Sequence, residues 1–192
     1  EARRRQPEPG QERRDPTLAD LRFEPDDADL PVERFMRDYY RHARAIKTYS
    51  ELVIDQCTRR VDPRASDTLS VQVVEHGFRI VNDQLTIPHA AHLREDPLRV
   101  LEAFRVAQQR QVPLSRMAQR LVRENRHVLD EKTRSSPEAA ALFMDVLNGE
   151  ARVTRTLAAM NETDVLAQLI PEWEHIVCRW QHVIYHTYTV DV

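Results

Sequence analysis

From Pro31 to Asp62 the chain meets no further proline or glycine, and Val32, Phe35, Met36, Tyr39, Ala43, Ile46, Val53 and Cys57 recur at three- and four-residue spacings. An apolar stripe of that period is one face of an α-helix. Proline suits the first helical position, because its missing N–H falls among the amides that a helix start leaves unbonded. The pattern predicts one helix from Pro31 to about Val61, so any fold must accommodate a rod about 46 Å long at 1.5 Å per residue. Tyr39, Tyr40 and Tyr49 interleave with Arg37, Arg41 and Arg44, a mixture that could also serve as an aromatic and basic surface for nucleic acid. A long core helix whose arginines form its solvated face is the preferred expectation.

Three glycines against eleven prolines carry the helical expectation through the rest of the 192 residues. Many-stranded folds need glycine for their turns, whereas proline punctuates the ends of helices. The expected fold class is mainly α, an irregular helical bundle with a small β-hairpin around residues 69–87. The hairpin is read from the alternation of Leu69, Val71 and Val73, and from residues 78–81 and 84–87 flanking the two-residue turn signal Asn82-Asp83. Beyond it, Asp96 is expected to cap a helix opened by Pro97 and ended by Pro113, with Leu98, Leu101, Ala103, Phe104 and Ala107 inward. Ser115 caps the next, with Met117, Leu121, Val122, Val128 and Leu129 inward to about Lys132. Ser136 and Pro137 open a third, which carries Leu142, Phe143, Val146 and Leu147 and stops at Asn148-Gly149. Two short helices are expected near 153–160 and 164–169. After Pro171 a last helix should carry Trp173, Ile176, Val177, Trp180 and Ile184. These helices share no common period, which argues against a solenoid.

A chain of this length with 41% apolar residues buries one sizeable core. Residues 1–30 are polar, charge-mixed and punctuated by proline, and they are read as a flexible or extended arm. A formal net charge of -3 gives no bulk attraction to nucleic acid or to an anionic membrane, so neither is an expected partner. No run of about 18 apolar residues is present, and the Arg-rich start lacks the apolar stretch of a secretory signal. Two isolated cysteines, Cys57 and Cys178, make neither a disulfide framework nor a four-ligand zinc cluster. Cytoplasmic residence fits that usage.

Chemistry-bearing patterns are few. His182 and His186 lie four apart, on one helix face, and Asp191 follows, but two imidazoles without a third ligand make a weak metal site. The protease form of that spacing needs Glu directly after the first His, where this chain has Val183. No Gly-x-Ser-x-Gly string or glycine-rich phosphate loop occurs. Asp26, Asp27 and Asp29 are read as a solvated acidic run. Glu95, Asp96 and Arg99 differ from these, because an acidic pair and an arginine one turn apart at a helix start offer acceptors and a forked donor to a nucleobase. The competing expectation is a cap with an intrahelical ion pair.

Several strings, taken in order, resemble a known family. They are Val32-Glu33-Arg34-Phe35-Met36-Arg37-Asp38-Tyr39-Tyr40-Arg41-His42-Ala43, Asp96-Pro97, Leu142-Phe143, Thr156-Leu157, Met160-Asn161, Val165-Leu166, Ile170-Pro171-Glu172 and the tail from Gln181-His182 to Asp191. The set is similar to the helical region of the bifunctional PII uridylyltransferase/uridylyl-removing enzyme of bacterial nitrogen control. The resemblance implies a larger enzyme. A nucleotidyltransferase domain would use UTP and Mg to uridylylate a tyrosine of the PII signal protein, an HD domain would remove the group by metal-assisted hydrolysis, and further domains would sense glutamine. Residues 31–170 would be a helical connector that follows the nucleotidyltransferase domain, and 171–192 the start of the HD domain, with a metal-binding His expected about one residue beyond Val192. His182, His186 and Asp191 would then stand beside a metal centre, the fragment would hold no cofactor and be inactive alone, and no catalytic residue is assigned. If the last helix runs on into the HD domain, Trp173, Ile176, Trp180 and Ile184 should be exposed. More locally, Glu95-Asp96-Pro97-Leu98-Arg99 resembles the neck motif of tRNA CCA-adding nucleotidyltransferases, which implies contact with an incoming nucleotide. A non-enzymatic helical interaction module is the remaining alternative.

Overall fold

A computed structural model of the chain describes residues 30–61, 70–179 and 189–191, without the side chains of 59–61. The expected arm apart from Leu30, the start of the hairpin region, and the segment with Trp180, His182, Ile184 and His186 lie outside the described residues. Helix α1 (Pro31–Val61) has the expected limits. Strands β1 (Val71–Val73), β2 (Arg79–Val81) and β3 (Gln84–Thr86) form an antiparallel sheet in sequence order, one strand more than a hairpin. Asn82 and Asp83 both take positive φ, 50° and 57°, the backbone that a two-residue hairpin turn demands. The outer edge of β3 is covered: Leu85 donates to the Pro113 carbonyl at 2.8 Å and accepts from Ser115 N–H at 2.9 Å.

Helix α2 (Ala90–Glu95) is absent from the sequence expectation, because its cap is the ring of His89, whose Nδ1 accepts from the His92 N–H at 3.2 Å. Asp96 takes the capping role expected of it, with Oδ1 accepting from the Leu98 N–H at 3.1 Å. The first turn after it is closed by i to i+3 bonds, so α3 (Arg99–Gln109) begins two residues later than Pro97. Ser115 caps α4 (Arg116–Asn125), accepting from the Ala118 N–H at 3.1 Å. The expected continuation to Lys132 is broken: a 3-10 turn occupies Arg126–Val128, and Asp130 caps a separate α5 (Glu131–Arg134). Met117, expected inward, is 43% exposed. Ser136 caps α6 (Pro137–Leu147), and α7 (Val153–Glu162) and α8 (Val165–Leu169) stand where short helices were expected.

After Pro171 the described chain forms a 3-10 helix (Pro171–His175) and a turn that ends at Cys178, whose φ is 55°, in place of the expected long helix. Trp173 and Ile176 are half-buried, not exposed. Trp173 packs on the core, and its indole Nε1 donates to Asn161 Oδ1 at 3.1 Å. That partner, on α7, holds the segment against the bundle, so this part of the expected exposed face is corrected.

Helix α3 is central, touching β3, α2, α6 and α7. Its Leu101 and Phe104 share the core with Phe78, Leu85, Leu93, Val122, Leu129, Met160 and Val165. The buried Gln108 amide donates to the carbonyls of Val146 and Ala151, at 3.0 Å each, and ties the end of α6 to the start of α7. Gly149 permits this approach, since a Cβ there would collide with the Gln108 amide.

The expected orientation of α1 is reversed. Among its described side chains only Leu52 is buried, while Tyr39, Ile46, Tyr49 and Val53 are exposed. The arginine face meets the bundle instead. Arg37 donates to the His175 carbonyl, Arg44 reaches Asn161 and Asp164, and Glu51 pairs with Arg116 of α4 at 2.8 Å. The bundle closes its core without α1, and the carbonyls at the C-terminal end of α7 offer partial negative charge to guanidinium groups.

Candidate functional site

Two places bring sequence-selected residues together. The first lies between α2 and α3. Arg99 NH1 is 3.5 Å from Glu95 Oε2, Arg99 Nε is 3.8 Å from Asp96 Oδ2, and NH1 donates to the His92 carbonyl at 3.0 Å. The three candidates therefore converge, and within the chain they pair with one another. Around them lie residues that their scattered positions did not single out. His92 packs its ring edge-on to Phe78 with centroids 5.3 Å apart, and Gly77, at φ 76°, passes so close that a Cβ would stand 3.3 Å from the imidazole. Glu102 Oε2 lies 3.2 Å from His76 Nδ1 without hydrogen-bond geometry. His92 Nε2, Arg99 Nε and Glu102 Oε2 are all buried without a hydrogen-bond partner.

Burial sets the protonation of this group. It lowers the His92 pKa, helped by the charge of Arg99, so the ring is held neutral. Burial also raises the Glu102 pKa, against the pull of His76.

The second place joins α1, α7, α8 and the returning tail. Asp191 carries 2% side-chain exposure. Its Oδ1 accepts from the Cys178 N–H at 3.0 Å, and its Oδ2 accepts from Asn161 Nδ2 at 3.2 Å and faces Arg44 NH1 at 3.6 Å. Both oxygens thus hold the tail to the bundle, and Asp191 would have to release these partners to ligate a metal. His182 and His186 lie outside the described residues. Among the described residues no group of three or more His, Cys, Asp and Glu is placed to hold a metal ion. The Cys178 thiol is pushed up by burial, which favours packing over nucleophilic use.

Beside this junction a cleft of about 420 Å³ opens between α1, the end of α4 and α8, with Arg41, Arg44, Arg123 and Arg126 among its walls. Arg44 donates to the Asn161 carbonyl and Arg123 to the Glu162 carbonyl at the end of α7. Asp164, at φ 61°, receives both arginines, Arg44 at 3.3 Å and Arg123 at 3.9 Å. The sequence signal for this cleft is the arginine row of α1, whose expected place is the solvated face.

Residues 78–169, which contain Glu95, Asp96, Arg99 and the core around α3, match the family model described as the uridylyltransferase GlnD third domain. The chain is 32% identical over 173 residues to the bifunctional uridylyltransferase/uridylyl-removing enzyme of Azotobacter vinelandii (strain DJ / ATCC BAA-1303), covering 89% of this chain and 19% of that one. Enzymes of the same name from Pseudomonas aeruginosa (strain LESB58) and Methylococcus capsulatus are 30% and 38% identical, over 88% and 83% of this chain. The chain spans about a fifth of the length of these curated relatives, 18–19%. No solved structure matches it. The ordered strings from α1 to the tail thus carry a likeness to the bifunctional uridylyltransferase/uridylyl-removing enzymes, over a part of them that includes the GlnD third domain.

Proposed function

We propose that this chain is the helical connector of an enzyme that uridylylates the PII signal protein with UTP and Mg and removes the uridylyl group by hydrolysis. The observation that carries this is the match to the bifunctional enzymes along 89% of the chain. In this reading residues 31–170 follow a nucleotidyltransferase domain, 171–192 begin an HD domain, glutamine is sensed by domains outside the chain, and the enzyme works in the cytoplasm. The core around α3 suits a connector, because close-packed side chains hold their two ends at a fixed distance. In the whole enzyme, UMP transfer from UTP to PII and metal-dependent release of UMP are both expected. Replacing residues 78–169 with a flexible linker should leave the two activities running at once on the same PII. A whole enzyme with neither activity would overturn the assignment, and unchanged alternation in the linker variant would overturn the connector role.

A second role, contact with UTP by Glu95, Asp96 and Arg99, is favoured by the buried Arg99 Nε that lacks an acceptor. UTP binding that disappears in Arg99→Ala supports it. Absence of UTP binding to the unaltered chain contradicts it.

A further inference from the structure

The cleft beside α1 holds more positive charge than its own partners use. Asp164 is shared between Arg44 and Arg123. Asp191 faces Arg44 at 3.6 Å while it accepts from the Cys178 N–H and Asn161, and Glu162 sits 3.9 Å from Lys47. Arg126 donates to the Arg123 carbonyl and has no ion-pair partner among the described residues, and the Arg41 side chain has neither a hydrogen-bond nor an ion-pair partner among them. Glu174 lies on the exposed rim. Tyr49 presents an exposed ring and hydroxyl on the α1 side. Burial pulls the guanidinium of Arg123 down from its usual pKa, with Asp164 opposing the fall and Arg44 adding to it.

We propose that this cleft binds a multiply charged phosphate anion, with Arg41 and Arg126 as its direct contacts and Arg44 and Arg123 as the fixed floor. Guanidinium forks match phosphate oxygens in pairs, and the floor beneath the anion is fixed because Arg44 and Arg123 are already anchored to helix α7. The cleft's volume of about 420 Å³ accommodates a mononucleotide as well as inorganic pyrophosphate. The site is distinct from Glu95, Asp96 and Arg99, and it does not depend on any role of theirs.

The test is calorimetric titration of the 192-residue chain with pyrophosphate at low salt, repeated with UTP as competitor. Saturable one-to-one binding is expected. Arg41→Glu and Arg126→Glu should each weaken it by about tenfold or more, in line with the ~1.5–3 kcal/mol of a charge-assisted hydrogen bond. Lys132→Glu, the same charge change on α5, should leave it within about twofold, and circular dichroism should show every variant folded. Displacement by UTP identifies the source as a nucleotide, and its failure identifies the inorganic anion. Absence of saturable binding, an equal loss in Lys132→Glu, or binding retained in both Arg41→Glu and Arg126→Glu would overturn the proposal.

Discussion

Helices α1 and α3 are comparably amphipathic, yet eight of the eleven residues of α3 are buried while Leu52 alone is buried among the described side chains of α1. Period tells which residues share a face, but not which face will be covered. In α3 the apolar face turns inward because sheet and helices pack on it from several sides. In α1 the polar face turns inward, because what it meets is the carbonyl-rich end of α7 together with Asp164 and Asp191. One helix is held by burial and the other by directional charge.

The sharpest challenge to that contrast is a matched pair of truncations. Phe104→Ala, at a fully buried site, is expected to cost about 3–5 kcal/mol in denaturant unfolding, from lost transfer energy and the cavity left behind. Ile46→Ala, 66% exposed on the apolar stripe of α1, should stay within about 0.5 kcal/mol. Equal costs would mean that the stripe is covered and the contrast is wrong. Next in size, Arg44→Ala should cost about 1.5–3 kcal/mol, since it leaves carbonyl and carboxylate acceptors at the junction unpaired, and protease sensitivity should rise in α1 before it rises in α3.

Gly149→Ala should cost about 1–3 kcal/mol by driving the Gln108 amide off two buried carbonyls. Ser115→Ala, which removes a buried cap, should cost about 1 kcal/mol. Both are read as shifts of the denaturation midpoint.

The smallest expected effect is a pH slope at α3. Folding raises the Glu102 pKa, so its favourable contribution is complete below its ordinary value of 4.5 and is lost as pH rises through the folded value. Folding lowers the His92 pKa, so that contribution is complete above 6.5 and is lost as pH falls through the folded value. Urea midpoints of Glu102→Gln should therefore gain on those of the unaltered chain as pH rises above 4.5, and the gain should vanish below it.

Local chemistry is what the sequence made readable. Ser115 and Ser136 cap helices by bonding amides three residues away, Asp96 bonds one two residues away, and Asn82-Asp83 tolerate positive φ, so each signal and its effect lie in one short string. The cap of α2 was hidden because a histidine ring supplies it. The docking of α1 was hidden for a different reason: Arg44 finds its acceptors more than a hundred residues away, at Asn161 and Asp164, and no periodicity records that meeting. Glu95, Asp96 and Arg99 are visible as a string, whereas the His92, Glu102 and His76 that surround them come together only when the turn before β2, α2 and α3 pack.

Native-state hydrogen exchange of the unaltered chain and of Arg44→Ala addresses the contrast most directly, because it resolves the stability of each helix separately. If α1 is held by its arginine face, its amides exchange faster than those of α3 in the unaltered chain, and Arg44→Ala speeds them further while α3 keeps its protection. Loss of protection in both helices together would show that α1 belongs to the same cooperative core, and would contradict that arrangement.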